Sequence, residues 1–217
     1  MTLKELIKSK ITVISGHFGS GKTNVAVNLA LDAADGGPIC IADLDIVNPY
    51  FRTADNARML AEHGIKALVP EFANTNVEIP SLPADMGSVF YGDGRAIIDV
   101  GGDPDGAAAL GCDRERYAVA GYDMYYVCNF YRPATLDAEG ALAILRETEA
   151  ASGMRFTGII NNSNLGALTT AETVKATYGE CERLCALSGL PLAAVTAFMP
   201  LEHEKAAVIS NITKRLF

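Results

Sequence analysis

Short apolar runs alternate with longer, more polar segments along most of the chain. Six of these runs are rich in Val, Ile, Ala and Tyr and predict buried strands: Ile11–Ser15, Ile39–Ala42, Ala96–Val100, Tyr125–Phe130, Phe156–Asn161 and Leu192–Phe198. Apolar residues at helical spacing predict helices after the first run, over Thr135–Ser152 and over Thr169–Ser188. Buried strands joined by crossover helices are typical of a mostly parallel sheet flanked by helices. The pattern therefore predicts a three-layer α/β fold, with residues 1–217 as a single domain.

The stretch from Arg52 to Gly94 is less regular, because three prolines interrupt it. Within it, Glu71–Ser81 predicts a long irregular connection. Long connections in compact domains either carry function or are tolerated surface excursions, and the sequence leaves both interpretations open.

One segment carries a chemical signature: Gly16-His17-Phe18-Gly19-Ser20-Gly21-Lys22-Thr23 matches GxxxxGK[ST] between a predicted strand and a predicted helix. We call these residues the phosphate loop. Its glycines let backbone N–H groups surround a phosphate chain, and the start of the following helix adds partial positive charge. Lys22 would reach the β- and γ-phosphates, and the Thr23 hydroxyl would bind Mg²⁺. We predict that the nucleotide contacts Gly16, His17, Phe18, Gly19, Ser20, Gly21, Lys22, Thr23 and the adjacent Asn24.

Acidic residues end two later strands. Asp43 and Asp45 follow the second run, and the alternation of an extended chain points both carboxylates to the same side. Asp99 lies near the end of the third run, before a Gly-Gly pair that lets the next loop approach a γ-phosphate. The predicted roles are catalysis for Lys22, Asp43 and Asp45, magnesium binding for Thr23, Asp43 and Asp99, and a nucleotide contact for Gly102.

Three segments, GHFGSGKTNVAVNLA, IADLDIVNPYFR and AIIDVGGDPDG, resemble the MinD/ParA-like P-loop ATPases of the SIMIBI class, a group that includes the nitrogenase iron protein. The resemblance covers roughly the whole chain in order and spacing. It implies a P-loop NTPase fold in which the phosphate-loop strand lies beside the Asp99 strand. It also implies ATP and Mg²⁺ as cofactors, slow hydrolysis and a homodimer that encloses the nucleotide. By position, Asp43 and Asp45 correspond to the first switch of the family, and residues 99–102 correspond to the second.

One position departs from this family. Many members carry a second lysine directly after the first glycine of the loop, and it reaches the nucleotide of the dimer partner. This chain has His17 there, and an imidazole is usually uncharged at pH 7. Arg52, close behind the first switch, is either a substitute cation or an ordinary surface residue.

The choice of base can be examined at the end of the fifth predicted strand. Guanine-specific GTPases present Asn-Lys-x-Asp after a late strand, and its carboxylate accepts two guanine N–H groups. The matching place here reads Asn161-Asn162-Ser163-Asn164, which lacks both the lysine and the acid. The sequence therefore favours ATP. In related ATPases an asparagine near this point contacts the base, so Asn162 is the first candidate and Asn161 the second, with strand termination as the alternative.

Three functions are compatible with these motifs. The first is a slow Mg²⁺-dependent ATPase, producing ADP and phosphate, whose nucleotide state is read by a protein partner. The second is an ATP-dependent ligase or synthetase of the dethiobiotin-synthetase or cobyrinate-amidating type, which activates a carboxylate. The third is an interaction module that binds nucleotide without hydrolysing it. The sequence has no dense Arg/Lys cluster for an anionic substrate, which favours the first over the second.

Charge and apolar content narrow the partners and the location. The net charge of -8 argues against nucleic acid as the main ligand. No apolar run approaches the roughly 18 residues of a membrane span, the N-terminus lacks a secretory apolar region, and the five cysteines are scattered. A cytoplasmic location is therefore expected.

The C-terminal stretch His203–Phe217 has apolar residues at helical spacing and ends in KRLF. It predicts a last helix packed on the sheet. Membrane contact through this helix is the less favoured alternative, because one short apolar stripe binds lipid weakly without a second signal.

Overall fold

The computed structural model describes residues 1–44, 56–68 and 86–212. In this part of the chain, eight strands form one parallel sheet. The strands are β1 (Ile11–Ser15), β2 (Ile39–Leu44), β3 (Lys66–Leu68), β4 (Arg95–Val100), β5 (Tyr122–Cys128), β6 (Gly158–Asn161), β7 (Leu192–Ala197) and β8 (Ala206–Val208). Their spatial order is β3-β2-β4-β1-β5-β6-β7-β8. Strand β1, which leads into the phosphate loop, therefore lies near the centre of the sheet.

Helices cover both faces of this sheet. They are α1 (Lys22–Ala33), α2 (Ala57–Glu62), α3 (Pro104–Gly111), α4 (Arg114–Ala120), α5 (Ala138–Ser152), α6 (Ala171–Lys175) and α7 (Tyr178–Ser188). Adjacent residues of β1 divide between two cores: Ile14 packs in the core formed with α1 and α2, and Val13 packs in the core formed with α3, α4, α5 and α7. This alternation is what a sheet buried on both faces requires.

The predicted fold class is confirmed. All six predicted strands are present as β1, β2 and β4–β7, with shifted ends in several cases. The expected pairing of the phosphate-loop strand with the Asp99 strand is also present, because β1 pairs with β4 in parallel register. The helix predicted over Thr135–Ser152 begins after Asp137, whose side chain caps α5 by accepting from the Gly140 N–H (2.8 Å).

The predicted C-terminal helix is wrong over the residues that the structure describes. Residues 206–208 form β8, which pairs with β7 at the edge of the sheet. Beyond it, Ile209 and Ile212 pack toward the core that contains α1. Pairing with the open edge of β7 satisfies backbone groups that a separate helix would leave on that edge. The proposed membrane contact depended on that helix, and residues 213–217 lie outside the described part.

The helix predicted over Thr169–Ser188 is two helices, α6 and α7. The break falls at Thr177, whose Oγ1 donates to the carbonyl of Val174 (2.7 Å) and accepts from Nδ2 of Asn161 (3.0 Å). A threonine that bonds its side chain in this way competes with continued helix.

The less regular stretch after Arg52 contains more secondary structure than predicted. Helix α2 and strand β3 occupy its first described part, and a 3-10 helix covers Met86–Phe90. The predicted connection Glu71–Ser81 lies outside the described residues. None of the described helices is long and apolar enough to cross a membrane.

A buried carboxylate ties the end of α5 to the start of β6. Glu149 is 5% exposed, and its carboxylate accepts from Arg146 (2.6 Å), Arg155 (2.9 Å) and the Phe156 N–H (3.1 Å). Burial raises the pKa of Glu149, but these hydrogen bonds outweigh it, so its pKa lies below the ordinary value of 4.5.

We expect Glu149→Gln to lower the free energy of unfolding by about 1–3 kcal/mol at pH 7, because one amide oxygen replaces two acceptors. Since the folded pKa is lowered, the contribution of Glu149 is complete above pH 4.5 and is lost as the pH falls through the folded pKa. Urea unfolding at several pH values measures the difference. The exposed Glu147→Gln on the same helix is the control, and equal losses in both variants would contradict the assignment.

Candidate functional site

The phosphate loop connects the carboxyl end of β1 to the start of α1. Gly21 immediately precedes α1 with φ +84°, in the left-handed region that favours glycine. A Cβ atom on Gly21 would also lie 2.4 Å from Nδ2 of Asn162, so no larger residue fits without displacing that side chain. The loop therefore has the backbone that its sequence pattern predicts, with the first turn of α1 facing it.

Lys22 and Thr23 begin α1 and are buried, with 4% and 5% exposure respectively. Neither residue therefore lies on the outer surface of the protein. The N-terminal end of α1 adds its partial positive charge at the same place. A buried lysine at the start of a helix, directly after a glycine loop, is an arrangement that favours an anionic ligand.

The two predicted acidic strand ends lie beside each other. Asp43 on β2 is the register partner of Asp99 on β4, and Asp99 is in turn the register partner of Ile14 on β1. Both carboxylates are buried, at 1% and 0% exposure. Neighbouring strands lie about 4.8 Å apart, so Asp43, Asp99 and the start of the phosphate loop lie close together at the carboxyl ends of these strands.

The loop after β4 contacts the phosphate loop directly. A Cβ atom on Gly102 would lie 2.6 Å from the backbone nitrogen of Phe18 and 2.9 Å from the carbonyl oxygen of Gly16. Only glycine permits so close an approach. The following Asp103 caps α3 by accepting from the Gly106 N–H (2.8 Å), so the contact at Gly102 leads within two residues into a helix.

The oxygen ligands at the carboxyl ends of these strands suit Mg²⁺. Thr23 offers a hydroxyl, and Asp43 and Asp99 offer carboxylates on adjacent strands. Magnesium in phosphate sites is typically held by one or two carboxylates together with phosphate oxygens and water. In the described ranges, no group of three or more His, Cys, Asp or Glu side chains could hold a metal ion without such help. The donor set therefore fits Mg²⁺ that arrives with a nucleotide.

His17 is partly buried in the phosphate loop. Burial lowers the pKa of its imidazole, the nearby charge of Lys22 lowers it further, and Glu147 opposes both effects. The net pKa lies below the usual 6.5, so the neutral form predominates at pH 7. Phe18, the next residue, is 55% exposed.

Asn162 connects the phosphate loop to β7. Its Nδ2 donates to the carbonyl of Ser20 (2.7 Å), its Oδ1 accepts from Oγ1 of Thr196 (2.7 Å), and the residue is 3% exposed. These bonds give Asn162 a role in holding the loop, and its contact with a base stays a prediction.

The side chains of the neighbouring asparagines are bonded within the protein. Asn161 donates to Thr177 (3.0 Å) and accepts from the Ser163 N–H (3.0 Å). Asn164 donates to the carbonyl of Asn162 (2.8 Å) and accepts from the Gly166 N–H (3.1 Å). Residues 161–168 contain no carboxylate, so a nucleotide base at this turn would meet no acid there.

Asn24, predicted to contact nucleotide, holds the C-terminal segment. Its Nδ2 donates to the carbonyl of Ser210 (3.0 Å) and its Oδ1 accepts from the Ile212 N–H (2.9 Å). Asn28, one turn further along α1, makes two bonds to Ser210 as well, at 2.9 and 2.8 Å. A nucleotide contact by Asn24 stays a prediction. Two further residues named from the sequence, Asp45 and Arg52, lie outside the described residues.

Arg132 lies against the phosphate loop, and no sequence pattern predicts this. Its Nε donates to the carbonyl of Gly19 (2.8 Å). Arg132 follows β5, and β5 is the neighbour of β1 in the sheet. The contact depends on that strand order, which local spacing cannot reveal.

Comparison with known proteins supports the fold. No family model matches the chain, and no curated protein matches it by sequence. Among solved structures, it is similar to the cell division protein FtsY of Thermotoga maritima, with 17% identity and a TM-score of 0.57 over 90% of this chain and 67% of that one. It is also similar to the signal recognition particle receptor FtsY of Elizabethkingia anophelis in complex with GDP, with 15% identity and a TM-score of 0.51 over 87% and 57% of the two chains.

Chloroplast FtsY from Physcomitrella patens gives a comparable result, with 17% identity and a TM-score of 0.51 over 87% of this chain and 58% of that one. The chain thus spans about three fifths to two thirds of the length of these proteins. At such identities the likeness establishes the fold, which is that of the P-loop NTPases.

Proposed function

We propose that this protein binds ATP with Mg²⁺ and hydrolyses it slowly, as a nucleotide-driven regulatory or assembly switch in the cytoplasm. One observation carries the proposal: the buried Lys22 and Thr23 begin the helix that follows a glycine loop, at the same end of the sheet as the buried Asp43 and Asp99. The Lys22 ammonium has the charge that a polyphosphate needs, and the Thr23 hydroxyl and the two carboxylates are oxygen ligands suited to its Mg²⁺.

The roles of these residues follow from their chemistry. Backbone N–H groups of the phosphate loop and the Lys22 ammonium would hold the phosphate chain. Thr23, Asp43 and Asp99 would hold Mg²⁺, which supplies charge neutralisation between the phosphates when it is bound. Asp43 and Asp45, following β2, would orient the attacking water, with Asp45 assigned from the sequence.

The preference for ATP rests on the turn after β6. Recognition of guanine by a carboxylate uses two acceptor oxygens for two N–H groups, and residues 161–168 have amides instead. One FtsY structure with the same fold contains GDP, which is a fact about that protein. We infer adenine for this chain because its own turn lacks the acid.

The switch follows from the contact at Gly102. The loop after β4 lies against the backbone of Phe18 and continues into α3. A γ-phosphate bound here would therefore displace both this loop and α3. A protein partner, or a second copy of this chain, would read that displacement. The carboxylate-activating ligase remains the alternative, and the described residues offer no particular observation in its favour.

Titration of the purified protein with MgATP and MgGTP by calorimetry tests this proposal. We expect ATP to bind at least about 10-fold more tightly than GTP, because an amide turn forms fewer hydrogen bonds with guanine. Phosphate release should be slow without other substrates. If neither nucleotide binds, the proposed function is wrong; if GTP binds more tightly, the base assignment is wrong. Phosphate release that requires an added small carboxylate would favour the ligase.

A further inference from the structure

Arg132 lies on the phosphate loop at its most glycine-rich part. Its Nε donates to the carbonyl of Gly19 (2.8 Å), and its Cζ lies 3.4 Å from the position that a Cβ atom on Gly19 would occupy. Gly19 itself has φ +76°. The guanidinium therefore packs against the loop at Gly19, next to the backbone that would surround a phosphate chain.

The turn that carries Arg132 is held in place by several hydrogen bonds. The Arg132 N–H donates to the carbonyl of Asn129 (3.1 Å), and the Thr135 N–H donates to the carbonyl of Arg132 (2.9 Å). The Thr135 hydroxyl also donates to the carbonyl of Asn129 (2.6 Å), and the Tyr131 hydroxyl donates to the carbonyl of Thr173 (2.7 Å). The backbone of Arg132 is thus fixed on both sides, and its side chain is presented at a defined place.

The charge of Arg132 is not paired with a carboxylate in residues 1–44, 56–68 and 86–212. A guanidinium has five N–H donors, and the bond to Gly19 uses the single one on Nε. The four donors on the two terminal nitrogens have the planar arrangement that suits phosphate oxygens.

His17 does not supply a second positive charge to the phosphate loop. It occupies the position of the second lysine in the related ATPases, and its partial burial beside Lys22 favours the neutral imidazole. The loop thus lacks a cation where those proteins have one. Arg132 is charged at every physiological pH and contacts the loop two residues further on.

We propose that Arg132 is a phosphate-binding residue of this site, which supplies the second positive charge of the phosphate loop from within the same chain. The inference rests on the proposed function, because it requires a polyphosphate on the loop. It goes further by assigning the charge to a residue after β5 rather than to the loop itself or to a dimer partner.

The test compares Arg132→Gln and Arg132→Lys with the wild type by calorimetric titration of MgATP at two salt concentrations. Arg132→Gln should weaken MgATP binding about 10-fold and reduce its salt dependence, because one phosphate contact is lost. Arg132→Lys should recover most of the affinity, since it restores the charge. Arg114→Gln is the matched control: Arg114 also packs on a glycine with positive φ, Gly153, with its Nη1 3.5 Å from the corresponding Cβ position.

Two results would overturn the inference while MgATP binding by the wild type still stands. One is wild-type affinity in Arg132→Gln. The other is a loss in Arg132→Gln that is the same at both salt concentrations and is not recovered in Arg132→Lys, since Arg132 would then merely support Gly19. Failure of the wild type itself to bind would instead refute the proposed function.

Discussion

Replacing Lys22 with Met should lower the affinity for MgATP by about 100-fold or more. Hydrogen bonds to charged groups contribute roughly 1.5–3 kcal/mol each, and the Lys22 ammonium would make them to two phosphates. Methionine keeps much of the side-chain volume but removes the charge. Because Lys22 is 4% exposed, this choice avoids the cavity that alanine would leave.

Isothermal titration of the Lys22→Met variant with MgATP measures this effect, and thermal unfolding without nucleotide shows whether the fold is retained. Lys175→Met, at an exposed position in the last turn of α6, is the control for loss of a lysine away from the site. Unchanged affinity in Lys22→Met would show that the phosphate loop does not hold a phosphate chain. Lys22→Ala should give the same loss of binding with a larger loss of stability.

The centre of the sheet could be predicted because each strand there is rich in apolar residues on both of its faces. The residues Ile11–Ser15 are all buried, and the alternation of Val13 and Ile14 between two cores requires apolar side chains at both. The edge strands Lys66–Leu68 and Ala206–Val208 are three residues long, which is too short for a period to appear. Their pairing depends on the neighbouring strands β2 and β7.

The C-terminal segment shows how spacing alone can mislead. Val208, Ile209 and Ile212 fit one helix face, yet two of the same residues also fit a short strand and the turn after it. Tertiary contacts favour the strand over the helix here. Residues 206–208 pair with β7, and Asn24 and Asn28 on α1 bind the backbone around Ser210. The contacts of Asn24 and Asn28 with Ser210 join residues more than 180 positions apart, so no local pattern reports them.

Some residues of the candidate site could likewise be predicted from local sequence, whereas others depend on tertiary contacts. Lys22 and Thr23 were predictable because their motif is contiguous, and Asp99 because it lies near the end of an apolar run, directly before Val100 and a Gly-Gly pair. Arg132 was not predictable, because its contact requires β5 to be the other neighbour of β1. The same holds for the support that Asn162 gives to Ser20.

Replacing Asp43 with Asn should slow ATP hydrolysis by about 100-fold or more while leaving nucleotide binding largely intact. Asparagine has nearly the same shape, so it fits the buried position at 1% exposure, but it lacks the negative charge that binds Mg²⁺ or orients the attacking water. The phosphate chain would still be held by Lys22 and the loop. The loss should therefore appear in kcat rather than in the affinity for ATP.

Phosphate release at saturating ATP, measured across a magnesium titration, separates the two possible roles of Asp43. A variant that recovers turnover at high magnesium has lost a metal ligand, whereas one that stays slow has lost a group that orients water. Asp35→Asn, at an exposed position between α1 and β2, controls for the loss of an acidic charge. Asp45→Asn belongs in the same experiment, because the sequence assigns catalysis to both residues. Wild-type turnover in both Asp43→Asn and Asp45→Asn would remove the carboxylates after β2 from the mechanism, and hydrolysis would then have to depend on Asp99.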